Sequence, residues 1–176
     1  MTDEIINFNG LEFLKFDINN LIDNPCILIY CSENINDHFS DLFKKFSNNI
    51  CEFDDISFLD TLDKKLNSNK IESCLSINCK EITEKIINQP PLSSLLYSNK
   101  LYNTTLILTL KKHFRLNPYI LNKVDYVFIS SIHFYGDLRE IYMTHYNGLF
   151  DYEAFITIYN EFMKNNLILV FTPLHN

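Results

Sequence analysis

Side chains able to do chemistry are scattered along this chain, and the spacing between them excludes more than it selects. Glycine stands only at Gly10, Gly136 and Gly148. A phosphate-binding loop needs closely spaced glycines so that backbone N–H groups can approach the phosphates, and a lysine to neutralise them. No stretch of the chain provides this. Cysteine stands at Cys26, Cys31, Cys51, Cys74 and Cys79, with no C-x-x-C pair, so zinc-ribbon spacing is absent. The histidines, His38, His113, His133, His145 and His175, include no pair four residues apart of the kind that clamps zinc from one helix face. No G-x-S-x-G nucleophile elbow occurs. A metal and a cofactor are therefore not expected. The one compact cationic run is Lys111, Lys112, His113, Phe114 and Arg115. The adjacent acids Asp54 and Asp55 follow an apolar stretch and read as a helix start or a loop.

Composition sets the class. The 176 residues are 47% hydrophobic and 21% charged, which suits one globular domain spanning 1–176. The net charge of −7 disfavours a free-standing nucleic-acid binder, because phosphate contacts need a basic surface. An odd number of cysteines lying in or beside apolar runs points to a reducing compartment. The acidic start, Met1–Glu4, is unlike a signal peptide, and no apolar run approaches the ~20 residues of a membrane span, so no membrane partner is expected.

The elements that would position these residues alternate in type. Asn9-Gly10 between two apolar runs predicts a hairpin over Glu4–Phe16. Cys26–Tyr30 (CILIY) is a continuous apolar run, as in strands buried on both faces. Phe39, Leu42, Phe43 and Phe46 mark one stripe of a helix over Asn36–Ser47. Ile56–Leu66 and Lys80–Asn88 read as helices and Ile71–Ile77 as a strand. Thr104–Leu110 and Asp125–Ser130 are β-rich apolar runs. Asp137-Leu-Arg-Glu140 resembles a capping box ahead of a helical stripe of Leu138, Ile141, Tyr142 and His145. A further helix starts near Asp151, and Leu167–Phe171 reads as a closing strand. This alternation predicts an α/β fold with a mainly parallel sheet covered by helices.

The order of segments from Tyr97 to Phe162 resembles the genome-packaging ATPases of nucleocytoplasmic large DNA viruses, in the FtsK–HerA group of RecA-like P-loop ATPases. The residues that carry the resemblance are Leu116, Pro118, Asp125, Tyr126, Val127, Phe128, Ile141, Tyr142, Tyr146, Gly148 and Phe150. It implies a three-layer RecA-like P-loop NTPase fold. It also implies which positions have lost their function. The phosphate-loop glycines fall on Cys31 and Asn36, the lysine on Asp37 and the hydroxyl residue on His38. Asp37 would repel a triphosphate by about 4 kcal/mol per close charge pair at ~4 Å and an effective dielectric of ~20. The acidic pair that binds metal and activates water falls on the region of Ser76 and Asn78, which has no carboxylate. The family arginines fall on Lys100 and Leu121, and the strand-end glutamine on Lys111.

The resemblance thus implies the fold and argues against ATP hydrolysis. The expected function is a catalytically inactive homologue of a packaging ATPase, kept as a binding, assembly or regulatory protein in the infected cell's cytoplasm or the virion. Its partner would be a protein, such as an active packaging ATPase or a virion component. The alternative expectation is a nucleic-acid-binding subunit using Lys100, Lys111, Lys112 and Arg115 along the C-terminal edge of the sheet.

Overall fold

The structure, a computed structural model, describes residues 5–8, 11–32, 35–46, 50–53, 58–68, 74–78, 84–110 and 116–172. Among them the order is β1 (Ile5–Phe8), β2 (Leu11–Leu14), a 3-10 turn (Ile18–Asn20), β3 (Cys26–Tyr30), α1 (Ile35–Phe46), β4 (Ile50–Phe53), α2 (Phe58–Ser68), β5 (Cys74–Asn78), α3 (Glu84–Ile87) and α4 (Leu92–Ser98). There follow β6 (Thr105–Leu110), α5 (Pro118–Leu121), β7 (Tyr126–Ile129), α6 (Tyr135–His145), α7 (Tyr152–Lys164) and β8 (Leu169–Phe171). Strands β1 and β2 form a separate antiparallel hairpin with Phe8 opposite Leu11.

The other strands form one sheet in the order β4-β5-β6-β3-β7-β8. The first five run parallel, and β8 is antiparallel to β7. Strand β3 lies in the middle and is fully buried along its length. A strand covered on both faces needs apolar side chains pointing both ways, which is why CILIY shows no polar alternation. The two faces carry separate cores. Cys26, Leu28 and Tyr30 point toward α2, α4, α6 and α7, with Leu62, Leu95, Ile141 and Phe155. Ile27, Ile29 and Cys31 point the other way, toward Phe39 and Leu42 of α1. The result is three layers, as the sequence implies.

Two helix starts show what terminates the local structure. Helix α7 begins where expected, because the Asp151 side chain accepts the Ala154 N–H at 2.7 Å. Helix α6 does not begin at the capping box. It starts at Tyr135, after Phe134, and no side chain caps it. Asp137 lies inside the first turn, where its charge complements the helix dipole. The Phe134 ring lies against Gly136, so close that an added Cβ would sit 2.4 Å from it. A ring laid over the first turn has replaced the side-chain oxygen that the pattern suggested.

At the N-terminal edge of the parallel strands the turns are tied together. The Asp125 carboxylate is buried; it accepts the Cys26 N–H at 2.8 Å and the Lys100 ammonium at 2.9 Å. Asn99 donates to the carbonyls of Asn24 at 2.8 Å and Thr104 at 3.2 Å. Asn24 holds φ 51°, a left-handed conformation that asparagine tolerates. These bonds set the starting register of β3, β6 and β7 against one another.

Removing the carboxylate would leave a buried N–H without its acceptor and the lysine without its counter-charge. Asp125→Ala should cost about 2–4 kcal/mol in urea unfolding. Lys100→Ala should cost about 1 kcal/mol or less, because that ammonium is largely solvated. Equal losses for the two variants would contradict this account of the edge.

Candidate functional site

In an open α/β sheet, ligands meet the protein outside the C-terminal ends of the strands. Here that edge is marked by the strand ends Tyr30, Asn78, Leu110 and Ile129. The chain leaves β3 through Cys31 and Ser32 and enters α1 at Ile35. The Cys31 N–H donates to the Leu110 carbonyl at 3.0 Å, the Ser32 N–H to the Ser131 carbonyl at 2.7 Å, and the Ser130 N–H to the Tyr30 carbonyl at 3.0 Å. Ser32 Oγ accepts the His133 N–H at 3.3 Å. The backbone donors of Cys31 and Ser32 are therefore turned onto neighbouring strand ends, whereas a phosphate cradle points them outward together.

The Cys31 side chain is 1% exposed and packs with Ile29, Phe39 and Leu42. It occupies the position where the resemblance puts the first glycine. Positions 36 to 38 lie in the first turn of α1, which kinks at Phe39 (φ −119°, ψ 20°). The side chains of Asn36, Asp37 and His38 lie outside the described set. Ser76 lies inside β5, opposite Ile107, and is buried rather than presented at the edge. Asn78 ends that strand, opposite Thr109 of β6; the Asn78 side chain is outside the described set. Thr109 is buried, and its hydroxyl has no hydrogen-bond partner.

On the other face of this edge is a cavity of about 410 Å³ between the end of β7, α7 and the turn into β8. Ser131, His133, Tyr135, Asn160, Met163 and the Tyr159 hydroxyl line it. Tyr159 holds the turn after β7: its hydroxyl donates to the Ser130 carbonyl at 3.1 Å and accepts the Ile132 N–H at 2.7 Å. None of the residues lining the cavity is Lys, Arg, Asp or Glu. It can hold a neutral polar molecule but offers no fixed charge to a phosphate or a magnesium ion.

Buried hydroxyls and thiols lie close to the central strand. Tyr30 Oη is 3.3 Å from His145 Nε2, and Tyr146 packs on Phe150, Phe155 and Phe171 with its hydroxyl unpartnered. Burial pushes both phenols well above the usual tyrosine range. Burial also pushes the Cys26 and Cys74 thiols up to about 12, and for Cys26 the Asp125 carboxylate adds to the rise. Thiols of this kind are packing groups, not nucleophiles. Among the described residues no group of three His, Cys, Asp or Glu side chains could hold a metal ion.

Two expected placements change. Lys100 does not lie at the C-terminal edge. It precedes β6, so it sits at the opposite end of the sheet, paired with Asp125. Leu121 ends α5 just before β7 and lies at that same N-terminal end, half-buried against the core. Neither shares a site with Cys31. Lys111, Lys112 and Arg115 lie outside the described residues, as do Asp54 and Asp55. The Tyr159 bonds and the Tyr30–His145 contact were not foreseen, because nothing in their spacing couples residues on separate elements.

Comparison with known proteins supports the fold. No protein-family profile and no curated protein matches the sequence. Among solved structures, the chain is similar to the genome packaging NTPase B204 from Sulfolobus turreted icosahedral virus 2 in complex with AMP. The TM-score is 0.56 at 14% identity, covering 85% of this chain and 92% of that one. The sulfate complex of the same protein gives 0.53 at 13% identity, covering 85% and 91%. B204, the DNA-packaging ATPase from Sulfolobus Turreted Icosahedral Virus, gives 0.52 at 16% identity, covering 86% and 100%. At this identity the likeness establishes a P-loop-NTPase-like architecture shared with a viral genome-packaging ATPase, and nothing finer.

The two hydroxyls around the site should respond in opposite ways. Tyr159→Phe strands the Ile132 N–H and should destabilise the fold by about 1–3 kcal/mol. Tyr146→Phe deletes a buried hydroxyl without a partner and should be neutral or stabilising by up to about 1 kcal/mol. Chemical denaturation of both variants checks this, and the reverse ranking would contradict it.

Proposed function

We propose that this protein is a catalytically inactive relative of the viral genome-packaging ATPases, of the kind found in nucleocytoplasmic large DNA viruses, and that it acts as a binding or assembly protein. The observation that carries the proposal is the exit from β3. A buried thiol, Cys31, stands where a phosphate loop needs its first glycine, and the adjacent N–H groups bond to strand ends. The uncharged cavity beside it supports the same reading. So does the sequence, which puts Asp37 at the phosphate-binding lysine and leaves Ser76 and Asn78 in place of the acidic pair. The Cys31 and Ser32 N–H groups are not open to a nucleotide, and the described side chains lining the cavity beside them offer it no counter-charge. On this reading the packaging-ATPase scaffold persists as a rigid body that presents surfaces to a protein partner, in the cytoplasm of an infected cell or in the virion. No described helix is long and apolar enough to cross a membrane.

A second reading, a nucleic-acid-binding subunit, rests on Lys111, Lys112 and Arg115, which lie outside the described residues. It loses Lys100, which is engaged at the other end. With only part of its cationic set left on a chain of net charge −7, it is the weaker of the two.

Phosphate release from Mg-ATP tests the preferred reading. The protein should show no turnover above a heat-denatured control, and Asp37→Ala should leave that result unchanged. Turnover that is present in the native chain and abolished in Asp37→Ala would sink the proposal.

A further inference from the structure

Helices α6 and α7 are joined by the turn Tyr146-Asn147-Gly148-Leu149-Phe150. Two backbone bonds build it: the Asn147 N–H donates to the Tyr142 carbonyl at 2.9 Å, and the Leu149 N–H to the Tyr146 carbonyl at 3.0 Å. Both pass by the Gly148 nitrogen between them. The main chain of Asn147 also bridges to Phe150. Among the described residues no hydrogen bond holds the Asn147 side chain. Asn147, Gly148 and Leu149 are all exposed. Gly148 holds φ 95°, and no atom lies within 4 Å of the place where a Cβ would stand. Glycine puts no side chain in the way of an approach to its own nitrogen.

Other described asparagines are placed differently. Asn24 and Asn117 precede prolines, which have no N–H. After Asn103, Asn165 and Asn166 the next N–H is already engaged. Thr104 donates to the Asn99 carbonyl at 3.0 Å, Asn166 to the Met163 carbonyl at 3.1 Å, and Leu167 to the Phe162 carbonyl at 2.8 Å. The Asn165 amide is itself bonded to Glu161 at 2.8 and 3.0 Å.

We propose that Asn147 is a site of spontaneous covalent modification, at which water replaces ammonia through a cyclic imide formed with Gly148. The Gly148 nitrogen attacks Cγ of Asn147. The N–Cγ bond forms, the Cγ–Nδ2 bond breaks, and ammonia leaves, taking up the Gly148 proton. Water then opens the imide at either carbonyl. One opening leaves aspartate. The other leaves isoaspartate, whose main chain runs through Cγ and is one methylene longer. Nothing is oxidised or reduced, and water is the only co-reactant. Either product puts a carboxylate just beyond the last turn of α6, where the helix dipole disfavours negative charge. The longer main chain also strains a turn whose ends are fixed. The Tyr142 hydroxyl donates to the Phe150 carbonyl at 2.8 Å, and the Tyr146 ring packs on Phe150 at 5.8 Å. This chemistry is independent of the binding role proposed above.

The test holds the whole native chain at mildly alkaline pH and maps its peptides by mass spectrometry over time, beside the same chain unfolded in urea. Position 147 should convert in the native chain about as fast as in the unfolded one. It should also convert about ten-fold or more faster than Asn103, Asn165 and Asn166 do in the native chain. The product should be a mixture of isoaspartate and aspartate. The converted chain, separated by its added negative charge, should unfold at lower urea than the starting material. Asn147→Gln held in the same way should keep its midpoint, which separates this site from Asn9-Gly10, outside the described residues. A native rate about ten-fold or more below the unfolded one would overturn the proposal, since the turn would then protect its asparagine. So would aspartate without isoaspartate, because the imide opens both ways. An equal loss of stability in Asn147→Gln, or none in the converted chain, would overturn the effect assigned to the turn.

Discussion

The fold depends on one constraint: β3 is sealed on both faces and on both edges. Each of its main-chain groups needs a partner, on β6, on β7 or on a residue beside them such as Asp125, because a buried group left without one costs more than most side-chain contacts return. Parallel neighbours on both sides can only be reached by crossovers, and these place α1 on one face and α2 and α4 on the other, where α6 and α7 of the β7–β8 connection also pack. The ties at the N-terminal edge follow from the same requirement. Strand β3 begins in register because the Asp125 carboxylate receives the Cys26 N–H, and Lys100 makes a buried carboxylate tolerable there.

The constraint also decides what the other edge can do. In a phosphate-binding relative, the residues that leave the central strand turn their N–H groups outward, and glycine lets the backbone do so. In this chain those groups close onto the carbonyls of Leu110 and Ser131, and the Cys31 side chain turns inward to fill the α1 layer. On the proposed reading, packing has taken over the positions where phosphate chemistry would take place. The same architecture can therefore serve as an enzyme or as a rigid body, depending on which way a few backbone donors point.

How much of this was legible in the sequence varies with burial. The strands covered on both faces, β3, β6 and β7, read directly as apolar runs. The helices with a full stripe, α1 and α7, read from their period. Strand β4 (ICEF) was not foreseen: it is an edge strand, four residues long, with a glutamate inside it. Helix α4 (LSSLLYS) is too short and too rich in serine to show a period. The predicted helix over Lys80–Asn88 is present at Glu84–Ile87, and residues 80–83 lie outside the described residues. At the candidate site the absence of closely spaced glycines was plain, and the structure adds that Cys31 packs against Phe39 and Leu42 there. Lys100 was placed at the wrong end, although its position just before β6 carried the signal. In a parallel sheet, residues that precede a strand and residues that follow one lie at opposite edges. The contacts of Tyr159 with Ile132 and of Tyr30 with His145 join distant elements, and no local pattern encodes them.

The central claim is that the edge where a nucleotide would sit has been converted to packing, and thermal unfolding in the presence of nucleotide tests it most directly. A ligand at about 100 times its dissociation constant stabilises a fold by roughly 2.7 kcal/mol, which for a domain of this size moves the midpoint by several degrees. The account predicts no shift with millimolar Mg-ATP or Mg-ADP. A clear rise with either would contradict it, because it would require donors that the Cys31 and Ser32 N–H groups, bonded to Leu110 and Ser131, do not provide.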